Sequence, residues 1–170
     1  MRGIIRIIDG ISVWTGKVLS LLFLFVVFVI IYEVIMRYCL NRPTLWAYET
    51  MTMSCAFTYV LGAAWVLKER KHVHVEVIWE RLSPRKRAIL DSLTFLFFLL
   101  YMGMLLWAAS RYAWESFLLR ETLASTWAPA VYPLKIALAV GVAMLILQGT
   151  ANFLRDLYLA IQGRKLEERE

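Results

Sequence analysis

Four long apolar runs divide this chain, and each is long enough to cross the hydrocarbon core of a membrane, which takes about 20 apolar residues. The predicted spans are residues 18–36, 47–67, 89–110 and 131–154. They occupy about half of the 170 residues, which leaves no room for a separate soluble domain. The sequence therefore predicts an all-α integral membrane protein that forms one membrane domain, residues 1–170, with four transmembrane helices.

The basic residues are unevenly distributed between the segments that flank these spans. Of the 19 Lys and Arg residues, 14 lie in the N-terminal segment, the loop between spans two and three, and the C-terminal tail. The positive-inside rule therefore predicts cytoplasmic termini and a cytoplasmic middle loop. A nucleic-acid-binding surface would not alternate with the spans in this way. The net charge of +6 instead indicates membrane topology and contact with anionic membrane lipids.

Two segments outside the spans also carry patterns. Isoleucines recur at helical spacing near the N-terminus, which predicts a short amphipathic helix on the inner membrane surface that leads into an uncleaved first span (Ile4, Ile7, Ile8, Ile11). The middle loop places apolar residues on one helical face, which favours an interfacial cytoplasmic helix (Val75, Ile78, Trp79, Leu82). Alternating valines from Val73 to Val77 keep a strand as the alternative.

Small residues predict where the helices pack closely, because lipid supplies no hydrophobic force that drives helices together. Span two carries a stripe of small residues four apart, and span four offers a glycine of the same kind (Thr50, Ser54, Thr58, Gly62; Gly141). Span one has only Ser20 of this type. Span one is therefore expected to face lipid or a large apolar partner surface.

A polar cluster surrounds the first loop, where spans one and two meet (Glu33, Arg37, Asn41, Pro43, Trp46, Glu49). Charges are costly in lipid, so such a cluster indicates an interface, a partner contact or a site. Glu33 and Arg37 are four residues apart and are expected to pair. Arg37 and Glu49 could also neutralise one another or pair with groups of a partner. Two interpretations remain: a loop that only closes a helical hairpin, and a rigid contact with a partner subunit.

The remaining charged residues, cysteines and histidines do not form a predicted catalytic, metal or cofactor site. The central part of each span contains no Asp, Glu, Lys, Arg or His, whereas a proton or ion path normally needs such groups near the midplane. Cys39 and Cys55 do not form a CxxC pair, so they are interpreted as small apolar residues and not as a thiol redox site. His72 and His74 share one loop with only Glu76 nearby, which excludes a haem held between transmembrane histidines and disfavours the anchor subunit of a redox complex.

Three segments resemble the small membrane subunit of tripartite ATP-independent periplasmic (TRAP) transporters, the DctQ-like subunit: residues 32–49, 61–82 and 127–157. The family-like positions are Arg37, Tyr38, Asn41, Pro43, Trp46 and Glu49; Gly62, Ala63 and Ala64; His72, Val73, Val75 and Glu76; and Leu147, Gln148, Gly149, Arg155, Asp156 and Leu157. Two positions depart from that pattern: Glu76, where the family often has Asp, and residues 51–54, where an aromatic residue is more usual.

The resemblance implies an accessory subunit that is not an enzyme and carries no cofactor. In that family a large multi-span permease subunit holds the substrate and sodium ions, and a periplasmic substrate-binding protein delivers the substrate, usually an organic acid. The small subunit widens the fixed scaffold and helps to form the docking surface, in the bacterial inner membrane. The rival interpretation is a small four-helix proton-coupled multidrug antiporter that uses Glu33. Such a protein needs an accessible, unpaired carboxylate near mid-depth.

Overall fold

The computed structural model describes residues 2–69 and 84–162, and these residues form four long helices. Helix α1 is Arg2–Val34 and continues into a π-helical turn, Ile35–Cys39. Helices α2, α3 and α4 follow as Ala47–Lys68, Pro84–Leu118 and Tyr132–Gln162. All four are long and apolar enough to cross a membrane. The prediction of an all-α membrane protein with four spanning helices is confirmed.

Two sequence predictions concern the segment between spans two and three. The proposed interfacial helix and the loop motif with His72 and Glu76 lie outside the described residues. The predicted N-terminal amphipathic segment is helical, and it forms the first turns of α1 without a break. At a rise of about 1.5 Å per residue, the 33 residues of α1 extend about 50 Å, well beyond a hydrocarbon core of about 30 Å.

The helices pack side by side in the order α1, α2, α4, α3, and α1 also reaches α4. The helix bundle has two ends, which we call the terminal end and the loop end. The terminal end holds the start of α1, the end of α2 and the end of α4. The loop end holds residues 40–46, which join α1 to α2, and residues 119–131, which join α3 to α4.

Glycines on α4 allow its neighbours to approach closely. A Cβ atom on Gly141 would lie 2.6 Å from the carbonyl oxygen of Val60 on α2. A Cβ atom on Gly149 would lie 2.5 Å from a ring carbon of Phe98 on α3. Both distances are far below van der Waals contact. At Gly141 the close atom is backbone, so a side chain there would push α2 and α4 apart, whereas at Gly149 the Phe98 ring would have to move.

The predicted stripe of small residues on α2 has a less uniform environment. Gly62 faces α1, where an added Cβ would meet Leu19 at an ordinary 3.7 Å. The other members, Thr50, Ser54 and Thr58, are half-buried, and the Thr58 hydroxyl donates to the Ser54 carbonyl oxygen. Gly62 therefore contributes to the α1–α2 contact without requiring the absence of a side chain.

Helix α1 meets the bundle through residues that repeat every seven positions. Four residues at this spacing are buried: Ile5, Ser12, Leu19 and Val26. A repeat of seven keeps one face of a helix against its neighbours when two helices wrap around each other at a shallow left-handed angle. The opposite face of α1 is exposed over its whole length.

Candidate functional site

The loop end contains a hydrogen-bonded cluster centred on Glu33. Its Oε1 atom accepts from Arg37 Nε at 3.1 Å and from Arg37 Nη2 at 2.6 Å. Its Oε2 atom accepts from the backbone N–H of Thr44 at 3.3 Å and from the Thr44 hydroxyl at 2.5 Å. The predicted Glu33–Arg37 pair is confirmed, and Thr44, which the sequence did not indicate, occupies the second carboxylate oxygen.

The π-helical turn explains why Thr44 reaches Glu33. The turn closes with a hydrogen bond from the Leu40 N–H to the Ile35 carbonyl oxygen at 3.2 Å, and Arg42 N–H then donates to the Met36 carbonyl oxygen at 2.9 Å. Asn41 between them has φ of 50°, a left-handed conformation that asparagine tolerates better than most residues. The chain therefore reverses tightly and brings Thr44 back to the end of α1.

Trp46 and Glu49 lie on the α2 side of this cluster. The Trp46 ring stacks on Tyr32 of α1, with ring centroids 5.8 Å apart and planes at 27°. Glu49 lies in the first turn of α2, and its Oε2 atom is buried without a hydrogen-bond partner in the described chain. Arg37 binds Glu33, so the described structure does not contain the Arg37–Glu49 pair that the sequence left open. A helix N-terminus favours a carboxylate, but the buried Glu49 oxygen accepts no hydrogen bond from the described residues.

A small cavity of about 230 Å³ opens beside the cluster between α1 and α2. It is lined mainly by apolar side chains, with Glu33 and Arg37 at its polar edge (Val29, Ile30, Val34, Tyr38, Ala47, Tyr48, Met51). Because Arg37 and Thr44 already occupy both oxygens of Glu33, the cavity presents no available carboxylate acceptor to a ligand.

The terminal end contains a second polar network, which joins three helices. Gln148 of α4 is fully buried, accepts from the Ser12 hydroxyl at 2.7 Å and donates to Asp9 Oδ1 at 3.0 Å. Asp9 also forms an ion pair with Arg155 of α4. Asn152 donates to the carbonyl oxygen of Leu67 at the end of α2, at 3.1 Å.

The sequence identified only part of this network. Gln148 and Arg155 appeared there only as part of a family-like pattern near the end of span four. Their partner Asp9 lies 139 residues from Gln148 and 146 from Arg155, and no local spacing indicates such a contact. The available signal was an amide within span four and a charge just after its end, because polar groups that are buried in a membrane protein require partners.

A third cluster stabilises the loop between α3 and α4. Lys135 is 8% exposed, forms an ion pair with Glu121, and its Nζ atom lies 3.7 Å from the ring centroid of Tyr112. The hydrogen bond from Lys135 lowers the pKa of the Glu121 carboxyl group from its ordinary value. The Val131 N–H donates to the Glu121 carbonyl oxygen at 2.9 Å, so Glu121 connects both sides of the loop to α4.

The side chains of these three clusters hold helices and loops together or are suited to contacts with a partner. Within residues 2–69 and 84–162 there is no group of three His, Cys, Asp or Glu residues that could hold a metal ion. Residues 18–32, 50–67, 92–110 and 136–154, which form the central parts of the four helices, contain no ionisable Asp, Glu, Lys, Arg or His. The charged groups with defined contacts lie near the helix ends or in the loops.

Comparison with known proteins gives one family. The profile of the DctQ component of tripartite ATP-independent periplasmic transporters matches residues 25–158, well over half of the 170 residues. The match covers the Glu33 cluster, Gln148 and Arg155, and it begins after Asp9 and Ser12. No curated protein matches the chain. Four membrane-length helices in one small chain agree with this match, and the protein therefore belongs to the DctQ family, the small, non-catalytic membrane subunits of TRAP transporters.

Proposed function

We propose that this chain scaffolds the large permease subunit of a sodium-coupled organic-acid importer and contributes to the docking surface for the periplasmic substrate-binding protein. The complex resides in the bacterial inner membrane. The sodium ions and the substrate are bound by the large subunit, and this chain carries neither.

The state of Glu33 is the observation that carries this proposal. A carboxylate that exchanges protons or binds a cation during transport must be accessible and must change partners. Both oxygens of Glu33 are engaged by Arg37 and Thr44, and the side chain is only 14% exposed. Because the central parts of the helices contain no Asp, Glu, Lys, Arg or His, an antiporter mechanism based on Glu33 has no support in this geometry.

The loop end supports the docking part of the proposal. Glu49 has a buried oxygen without a hydrogen-bond partner in the described residues, and an unsatisfied buried acceptor costs free energy until a donor reaches it. Leu45 and Tyr48 beside it are exposed, at 67% and 68%. A partner that covers this loop would bury apolar area and supply a donor to Glu49.

The orientation that this proposal requires places the terminal end in the cytoplasm and the loop end in the periplasm. The distribution of Lys and Arg supports it. The test uses single cysteines at the exposed positions Leu45 and Lys86, in a chain whose own Cys39 and Cys55 are replaced by serine. An impermeant thiol reagent applied to intact spheroplasts should label only the Leu45 site. Labelling of the Lys86 site alone, or of both sites equally, would contradict the orientation.

Transport in proteoliposomes tests the function. Under a sodium gradient, organic-acid uptake should require this chain, the large subunit and the binding protein together, and this chain alone should transport nothing. The complete complex with Glu33→Gln should still couple uptake to sodium. Proton-driven drug transport by this chain alone, abolished by Glu33→Gln, would replace the proposal with the antiporter function.

A further inference from the structure

The cavity between α1 and α2 has a charged end and an apolar end, and these lie at different depths. Arg37 and Tyr38 line it next to the loop end, whereas Val29 and Ile30 line it nearer to the middle of the first span. From Val29 to Arg37 the chain rises about 12 Å, compared with about 15 Å for half of the hydrocarbon core. The cavity therefore extends through most of one leaflet, with its charge outermost and its apolar walls towards the membrane centre.

The charged end offers donors and no open acceptor on Glu33. Nε and Nη2 of Arg37 donate to Oε1 of Glu33, and Thr44 donates to Oε2. The Nη1 atom of Arg37 has no acceptor among the residues that the structure describes, and the side chain is 50% exposed. A guanidinium with a free edge binds the oxygens of a phosphate or a carboxylate in pairs. The group that fits this end of the cavity is therefore an anion.

Aromatic side chains place the charged end at the level of the lipid headgroups. Tyr38 and Tyr48 line the cavity and are 78% and 68% exposed. Tyr32 and Trp46 stack on each other at the same end of the helix pair. Tyrosine and tryptophan concentrate at the membrane–water interface, because each has an apolar ring and one polar group. An opening bordered by exposed tyrosines at this depth is accessible from the headgroup layer.

We propose that this cavity binds a phospholipid of the leaflet at the loop end, with the phosphate on Arg37 and part of one acyl chain between α1 and α2. The volume of about 230 Å³ suits part of a chain, because pockets that enclose a whole drug-sized molecule measure about 300–1,000 Å³. A soluble anion would leave the apolar walls empty, and a neutral lipid would leave Arg37 without an acceptor. A single acidic side chain of another protein is too short to bind Arg37 and also fill the apolar end.

Photo-crosslinking with a lipid tests the site in the full-length chain. The purified chain is held in maltoside micelles, which contain no phosphate, and is mixed with phosphatidylglycerol that carries a diazirine in one acyl chain. Mass spectrometry should locate the adducts at the apolar end of the cavity, on Val29, Ile30 and Met51. Unlabelled phosphatidylglycerol should suppress them at concentrations at which diacylglycerol with the same chains, or inorganic phosphate, does not.

A change at the charged end tests recognition of the phosphate. Arg37→Gln should reduce the adduct yield by about tenfold, as expected when a hydrogen bond to a charged group is lost. Arg111→Gln is the matched control, because Arg111 also pairs with a glutamate four residues on, is 63% exposed and does not line the cavity. Its yield should equal that of the wild type.

A change at the apolar end tests the acyl-chain site without altering the Glu33–Arg37 pair. Val34→Trp places a large ring in the cavity and should also reduce the yield by about tenfold, since the chain and the ring compete for the same volume. Val27→Trp is the control, because Val27 is 39% exposed on the same helix and does not line the cavity. Wild-type yields from both Arg37→Gln and Val34→Trp would overturn the proposal.

Other occupants of the cavity give different results, and each of them overturns the proposal. Equal competition by diacylglycerol would mean that acyl chains bind without recognition of the phosphate. Equal competition by inorganic phosphate would identify a site for soluble anions. Adducts spread evenly over the exposed residues of α3 would show only general contact with lipid. Loss of the adducts when the large subunit is bound would mean that a protein side chain fills the cavity in the assembled transporter.

Discussion

Asp9 and Arg155 form an ion pair that connects the first turns of α1 to the last turns of α4. The two side chains are only 19% and 16% exposed, and the fully buried Gln148 donates to the same carboxylate. The contact fastens the start of α1 to α4. It acts together with the buried Ile5 and with the hydrogen bond from the Ser12 hydroxyl to Gln148.

Loss of this ion pair should destabilise the chain more than loss of an exposed one. Asp9→Ala leaves Arg155 partly buried and deprives Gln148 of an acceptor, so the free energy of unfolding should fall by about 1–3 kcal/mol. Arg111→Ala is the control, because its pair with Glu115 is about 60% exposed on both sides and should contribute less than about 1 kcal/mol. Unfolding of the purified chain in detergent micelles measures both, and equal effects would contradict the structural role of Asp9.

The close approach of α2 and α4 gives a second prediction. Gly141→Ala places a methyl group 2.6 Å from the backbone oxygen of Val60, so the helices must separate, at a cost of about 1–3 kcal/mol. Gly103→Ala on α3 is the matched control, since nothing lies within 4 Å of its added Cβ and alanine is the better helix former by up to about 1 kcal/mol. Thermal unfolding should rank Gly103→Ala at or above the wild type and Gly141→Ala below it. The reverse order would rule out this packing.

Local features of the sequence were sufficient for part of this structure. The four helices follow from hydropathy, which depends on each segment alone. The pair between Glu33 and Arg37 follows from a spacing of one helical turn. The π-helical turn does not follow, because a single extra residue per turn has no compositional signature, and so the contact of Thr44 with Glu33 was missed.

The contacts between distant helices could not be derived in the same way. Gln148 meets Ser12 only because α4 packs against α1, and the periodicity of each helix does not determine which faces meet. The small residues of α2 illustrate the same limit. Gly62 faces α1 at an ordinary distance, whereas Gly141 on α4 approaches the backbone of α2 so closely that an added Cβ would lie 2.6 Å from the Val60 carbonyl oxygen.

The ion pair between Glu121 and Lys135 makes a prediction about pH. The pKa of Glu121 is lowered from 4.5 in the folded chain, so the folded state binds fewer protons there than the unfolded state. Its contribution to stability is therefore complete above about pH 4.5 and is lost as the pH falls through the lowered pKa. The unfolding midpoint of Glu121→Gln should lie below that of the wild type near neutral pH, and the two should converge in acid.

The matched control for this pH dependence is Glu115→Gln, whose carboxylate is 60% exposed. The unfolding midpoint of this variant should stay close to that of the wild type at every pH, because an exposed ion pair contributes little to stability. A difference between wild type and Glu121→Gln that stays constant from neutral to acidic pH would show that Glu121 acts through packing and not through its charge.

The loop end gives the prediction that decides between a simple hairpin turn and a subunit contact. Trp46 stacks on Tyr32, and Glu49 keeps a buried oxygen without a partner in this part of the chain. Trp46→Ala with Glu49→Gln removes the ring and the charge while the apolar spans, and therefore insertion, are retained. Affinity for the large subunit, or the uptake rate, should fall by about tenfold. Trp46→Phe, which keeps an aromatic ring on Tyr32, should retain most of both. If the double variant co-purifies and transports like the wild type, residues 40–46 only close a helical hairpin and the partner contact lies elsewhere.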